Sequence, residues 1–166
     1  MTLRHLPLGP PISRARLPAP VRAQLAAAAA AAGPAEACGL LLGARAGAEV
    51  SVVAATAARN VAADPKRGFE IDPGHLLAAL RRARAGAAPE VVGLWHSHPS
   101  GVLLPSAADR AGVSDPAWLW LIVSADGARM AAFLPAPGAP LGFRQVPLDG
   151  GRPPADARID LGRHCC

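Results

Sequence analysis

EVVGLWHSHP, residues 90–99, is an apolar run that ends in two histidines and a proline. Its first six residues have the near-continuous apolar character of a strand covered on both faces, the kind found inside parallel or mixed sheets. The histidines therefore emerge at the carboxyl end of a buried strand. In an extended segment, residues two apart project to the same side, so His96 and His98 point together.

Upstream, CGLLLG at residues 38–43 is a second buried-strand pattern bounded by glycines, with Glu36 at its entrance. Residues 50–57 continue as a strand, residues 68–72 suggest another short one, and Pro73 opens a helix to about residue 85 with Leu76, Leu77 and Leu80 inward. Before them, the alanine-rich stretch 18–32 predicts a helix closed by Gly33-Pro34, with Val21 and Leu25 marking its buried stripe. Downstream, residues 106–111 read as a short helix, and strands at 118–124 and 128–134 are joined by an Asp126-Gly127 turn. Trp118 and Trp120 share one face of the first of these, either as sheet packing or as the wall of a groove for an extended peptide. Residues 142–148 add an edge strand. There is no internal repeat.

The 166 residues suffice for one sizeable core, and 51% apolar against 17% charged residues favours a folded domain despite 18 prolines and 17 glycines. Proline crowds toward the ends, which predicts an irregular arm at 1–17, one domain at 18–148 and a flexible tail at 149–166. The formal charge is +5, but the basic residues are scattered and all except Lys66 are arginine. That reads as a mildly basic solvated surface, with an acidic protein or polyanion partner as the lesser reading. No arginine cluster is interleaved with aromatics, so nucleic acid is not expected as a partner. Cys38 lies within a strand pattern and Cys165 and Cys166 end the chain, which is no disulfide framework and fits a reducing cytoplasm. Residues 25–32, followed by Ala-Glu-Ala-Cys38, imitate an export signal. Alanine is a weak membrane residue, however, and cleavage at Cys38 would discard Glu36. No stretch is long and apolar enough to span a membrane.

A histidine pair at a strand end is, alone, more often a hydrogen-bonded surface feature than a metal site. Asp109 closes Ser106-Ala-Ala-Asp109, a capping-box pattern whose structural reading is equally good. Glu36, one of four glutamates, stands out because it borders a buried strand, although it can equally be a partly exposed strand-entry residue. Taken together, two histidines and a carboxylate form a three-ligand nitrogen and oxygen set for zinc, with the fourth position left for water. Ser97 has no partner base and is read as orienting the chain. Cys38 is read as a buried core residue, and no function attaches to Cys165 or Cys166.

The combination of Glu36 before CGLLLG, then His96-x-His98, seven residues and Ser106-x-x-Asp109 resembles the JAMM, or MPN+, metallopeptidases. From this composition, the two histidines, serine and aspartate fall at that spacing by chance about 3 times in 10,000. The likeness spans residues 21–134. It includes Asn60, Phe69-x-Ile71-Asp72-Pro73 and Gly93, as in short bacterial members. With the element order, it implies an α/β fold with a mixed central sheet flanked by helices, similar to cytidine deaminases. It further implies that His96, His98 and Asp109 bind one zinc ion, that Glu36 is the general base, and that Ser106 donates a hydrogen bond to the oxyanion.

The implied reaction is hydrolysis of a peptide or isopeptide bond at the carboxy-terminal tail of a ubiquitin-like or sulfur-carrier protein ending in Gly-Gly. The short span between Asp109 and Trp118 leaves little room for the extra insertion of eukaryotic deubiquitinating relatives. Two other readings are a non-catalytic MPN-type scaffold, against which the complete ligand set argues, and a RadC-like DNA-associated protein, suggested by His-x-His-Pro-Ser-Gly.

Overall fold

The computed structural model describes residues 11–149. In chain order the elements are β1 (Arg14–Arg16), α1 (Ala19–Ala31), β2 (Cys38–Ala46), β3 (Glu49–Ala58), α2 (Pro73–Arg84), β4 (Glu90–His98), α3 (Ala107–Ala111), β5 (Leu119–Ser124), β6 (Met130–Pro135), β7 (Phe143–Val146) and β8 (Leu148–Asp149). The strands form one sheet in the order β7-β6-β5-β4-β2-β3-β1-β8. β4 runs parallel to β5, and β1 runs parallel to both β3 and β8, while the remaining pairs are antiparallel. The architecture is the expected mixed α/β one. β7 and β8 are separated only by Pro147, yet they lie at opposite ends of the order, so the sheet curls until its ends meet.

The core has two parts, one on each face of the sheet. On the first face, Val21, Leu25 and Ala29 recur every four residues along α1 and pack with Leu41, Trp95, Leu121 and Ala132. Complete burial of a side chain such as Leu25 stabilises the fold by about 2 kcal/mol. On the second face, Leu94, Trp120, Ile122, Phe133 and Phe143 pack with Phe69, Ile71 and Trp118. Two glycines let the central strands approach closely. A side chain at Gly93 would place Cβ 2.0 Å from the Leu119 carbonyl oxygen, and one at Gly39 would stand 1.8 Å from that of Thr56. The space above Gly39 is used by Trp95, whose Nε1 donates to Thr56 O at 2.9 Å.

The structure corrects four expectations. Arg14–Arg16 forms a strand within the segment read as an irregular arm. Three residues are too few to show a period, but Ala15 and Leu17 are completely buried while Arg14 reaches out to Glu49 at 2.6 Å. Residues 68–72 form no strand and make only an isolated bridge between Asn60 and Ile71. In α2, Leu77 is 50% exposed, because Leu76 and Leu80 lie one turn apart on the half-buried side and Leu77 is rotated away from them. The single edge strand at 142–148 is divided by Pro147, which has no N–H to donate. Residues 1–10 of the predicted arm and 150–166 of the predicted tail, including Cys165 and Cys166, lie outside the described residues. No helix among the described residues is long and apolar enough to cross a membrane.

Candidate metal centre

β4 delivers the two histidines onto the second face. Period-two alternation carries Leu94 on to His96 and His98, and both imidazoles are buried. Phe69 stacks on His96 with ring centroids 4.3 Å apart and planes 22° from parallel, and Trp120 meets His96 edge-on at 5.9 Å. His96 Nε2 and His98 Nε2 are 2.9 Å apart. The Asp109 carboxylate closes the cluster, with Oδ1 3.1 Å from His96 Nε2 and Oδ2 3.3 Å from His98 Nε2.

Asp109 is placed there by the cap of α3. Its N–H donates to Ser106 Oγ at 3.0 Å, and its Oδ2 accepts the Ser106 N–H at 2.6 Å, so the structural and chemical readings of Ser106-x-x-Asp109 coexist. Glu36 is brought in by sheet register. Cys38 pairs with His96 across β2 and β4, so the residue two before Cys38 lies beside the carboxyl end of β4. Glu36 is buried, and its carboxylate and the two histidines offer ligand-capable atoms all within 4.8 Å of one another. Ser97 Oγ accepts the Ala37 N–H at 2.8 Å, which ties the chain after Glu36 to the strand between the histidines.

The donor set suits a divalent cation. His98 Nδ1 donates to the Val102 carbonyl at 2.7 Å, so Nε2, which faces His96 and Asp109, is the nitrogen that gives up its proton and offers a lone pair when a cation binds. A carboxylate and ring-nitrogen lone pairs thus converge on one point, as ligands to zinc do. His96 Nδ1 and Glu36 Oε2 are buried without a protein hydrogen-bond partner, a cost tolerated where polar groups serve a site.

The environment drives the two carboxyl groups in opposite directions. Burial pushes Glu36 up, and although His98 opposes this, the negative Asp109 adds to it, leaving Glu36 at about 7. Burial also works against ionisation of Asp109, but hydrogen bonds from His96 and His98, the His96 charge and the Ser106 N–H outweigh it and hold the carboxyl well below its usual range. Burial lowers His96, whereas His98 is raised because its bonds to Asp109 and Val102 overcome its burial.

Cys38 is buried as expected, and desolvation followed by the nearby Glu36 charge pushes its thiol up to about 12. It should therefore resist iodoacetamide in the folded chain at pH 8, with its peptide alkylated only after unfolding in urea. Peptide mapping checks this, and alkylation at the unfolded rate would show the thiol to be accessible. The contribution of Phe69 was not legible beforehand. The sequence marks Phe69 only as part of a short strand pattern and of the Phe69-x-Ile71-Asp72-Pro73 resemblance, and neither signal places its ring on His96.

Fold and cluster together define an α/β domain with a candidate metal centre at the strand ends of its second face. Residues 18–134 match the family of prokaryotic homologs of the JAB domain, and the chain belongs to that family. The JAMM resemblance read from the sequence is thereby established. The chain is 43% identical over 102 residues to a protein of Haloferax volcanii named desampylase, a match covering 60% of this chain and 68% of that protein. It is 37% identical over 92 residues to the desampylase of Pyrococcus furiosus, covering 55% of this chain and 61% of that one. The fold is similar to the solution structure of a Desulfitobacterium hafniense protein, 28% identical, with a TM-score of 0.70 over 82% of this chain and 92% of that one. It is also similar to a Salinibacter ruber protein, 27% identical, with a TM-score of 0.54 over 87% and 94%.

Proposed function

We propose that the chain is a zinc-dependent peptidase or isopeptidase that hydrolyses the bond at the carboxy-terminal tail of a ubiquitin-like or sulfur-carrier protein. The observation that carries this reading is the opposed setting of two carboxyl groups beside the histidine pair. Asp109 is kept ionised, as a metal ligand must be, while burial raises Glu36 above the usual carboxylate range in the metal-free cluster, which makes Glu36 the carboxyl suited to take and return a proton. His96, His98 and Asp109 are accordingly the ligands of one zinc ion, and Glu36 is the general base. A bound zinc ion supplies Lewis acidity toward the scissile carbonyl and an acidified water. Glu36 Oε2 receives the proton of the attacking water and passes it to the leaving amine. Ser106 Oγ already accepts the Asp109 N–H, so its own hydrogen is free to donate to the developing oxyanion.

A cavity of about 390 Å³ has Asp109 in its lining together with Phe69, Ile71, Leu76, Trp118 and Trp120. Its apolar and aromatic lining next to a candidate metal ligand offers a place for part of a substrate tail. The name desampylase carried by two relatives supports a ubiquitin-like substrate.

The test uses a ubiquitin-like protein whose Gly-Gly terminus carries an added peptide, incubated with the zinc-loaded chain, the chelated chain and the chelated chain with zinc restored. Cleavage directly after Gly-Gly, lost on chelation and regained with zinc, is the expected result. Cleavage indifferent to zinc would overturn the mechanism. Bound zinc without cleavage of any ubiquitin-like tail would overturn the substrate.

A further inference from the structure

Between β3 and α2 the chain makes a loop, residues 59–72, that is closed by one side chain. The Asn60 amide uses its whole hydrogen-bonding capacity there. Nδ2 donates to the carbonyls of Glu36 and Gly68, both at 3.0 Å, and Oδ1 accepts the N–H groups of Ala62 at 3.0 Å and Glu70 at 3.1 Å. The same loop turns back to accept the Glu36 N–H on the Pro65 carbonyl at 2.7 Å. Glu36 is thus held at both of its backbone polar groups by one loop. That loop also carries Phe69 onto the face of His96.

We infer that Asn60 is a positioning residue: by gripping the Glu36 carbonyl and closing the loop whose Pro65 carbonyl holds the Glu36 N–H, it sets the general base in place beside the histidine pair. The inference rests on the reading of Glu36 as base given above. Asn60 itself touches neither the histidines nor Asp109 through any hydrogen bond of its side chain, so it acts through the groups it holds. Catalytic groups need placing to within about 0.5 Å, and a carboxylate on an entry segment before a strand has no helix or ladder of its own to supply that. The loop hydrogen bonds take that part. Asparagine is the residue that fits, since both donors and both acceptors are needed at once, and aspartate or serine offers only a fraction of them.

The test compares wild type, Asn60→Ala and Asn60→Asp as full-length zinc-loaded chains, each with and without Glu36→Gln. Asn60→Asp keeps the two acceptor contacts and sets a carboxylate oxygen against the Glu36 and Gly68 carbonyls where the donors stood, so it releases the grip on Glu36 without emptying the loop and remains informative if Asn60→Ala does not fold. Zinc content, kcat and KM on the extended ubiquitin-like substrate, and hydrogen exchange of the Glu36 amide are measured. We expect one zinc per chain to be retained, kcat to fall by about tenfold to a hundredfold, and KM to stay within about twofold. In the Glu36→Gln background the Asn60 substitutions should have no further effect on kcat, because they act through the group already removed. An equal loss in both backgrounds would make Asn60 a general structural residue and overturn the inference, as would wild-type kcat in Asn60→Asp. Should wild type not cleave the substrate, the functional reading fails by itself, and the exchange measurement decides the inference. Glu36 amide exchange about tenfold faster in both Asn60 variants would uphold the grip on Glu36, and unchanged exchange would refute it.

Discussion

Glu36→Gln is expected to keep its zinc and to lose cleavage by at least a hundredfold, the lower end of the about 10²–10⁴ that a positioned base contributes. Glutamine preserves the shape of the buried side chain, so the Glu36 backbone bonds to Asn60 and Pro65 remain, and only the proton acceptor is lost. In wild type the ionised carboxylate is the active form. The rate should rise with pH through the Glu36 value, which is about 7 in the metal-free cluster and lower once a cation stands beside it. Glu36→Gln should abolish that acid limb. Stability should move the other way. Burial raises this carboxyl from 4.5 to about 7, so the folded state binds the extra proton and loses stability as pH rises through that window. Metal-free Glu36→Gln should consequently melt above metal-free wild type at pH 8, and show no such advantage below pH 4. A variant that is inactive and also less stable at pH 8 would mean that glutamine disturbs the fold, and the loss of cleavage would no longer identify the base.

The histidine pair was legible because period-two projection follows from any extended segment, and EVVGLW announces a buried one. Asp109 was legible as a cap, and the structure shows that a capping box also aims its carboxylate at the histidines. Glu36 is harder to reach by local reasoning. Its approach to His96 depends on the pairing of Cys38 with His96, 58 positions apart in the chain and fixed only when β2 and β4 find their register. Nothing in the local sequence sets that register. The family resemblance supplied what the local pattern lacked. The same limit hid the contacts of Phe69 and Asn60, which bridge a loop to two strands, and β1, whose three residues are shorter than any period. Leu77 failed for a different reason. A leucine-rich turn shows that a helix has an apolar side without showing how wide that side is, and α2 buries none of its residues fully.

Asp109→Asn is the sharper test of the ligand set, because the histidines lie within reach of two carboxylates and the distances alone do not divide the labour between them. The asparagine keeps the side-chain shape and one oxygen for the Ser106 N–H, so α3 retains most of its cap, whose complete loss would cost about 1 kcal/mol. What it loses is the negative charge, and with it the ligand that offsets the cation in a site otherwise made of neutral imidazoles. Zinc content should fall from about one per chain to none after dialysis, cleavage should fall to background, and added zinc should no longer raise the melting temperature. For wild type, zinc at about a thousand times its dissociation constant should stabilise by about 4 kcal/mol, so the contrast is large. The pattern across the two carboxylates is decisive. Zinc retained in Glu36→Gln and lost in Asp109→Asn assigns Asp109 as ligand and leaves Glu36 to the proton. The reverse pattern would place Glu36 on the metal and require Asp109 to be the group that moves the proton, a role poorly suited to a carboxyl held so far below its usual range by the histidines around it.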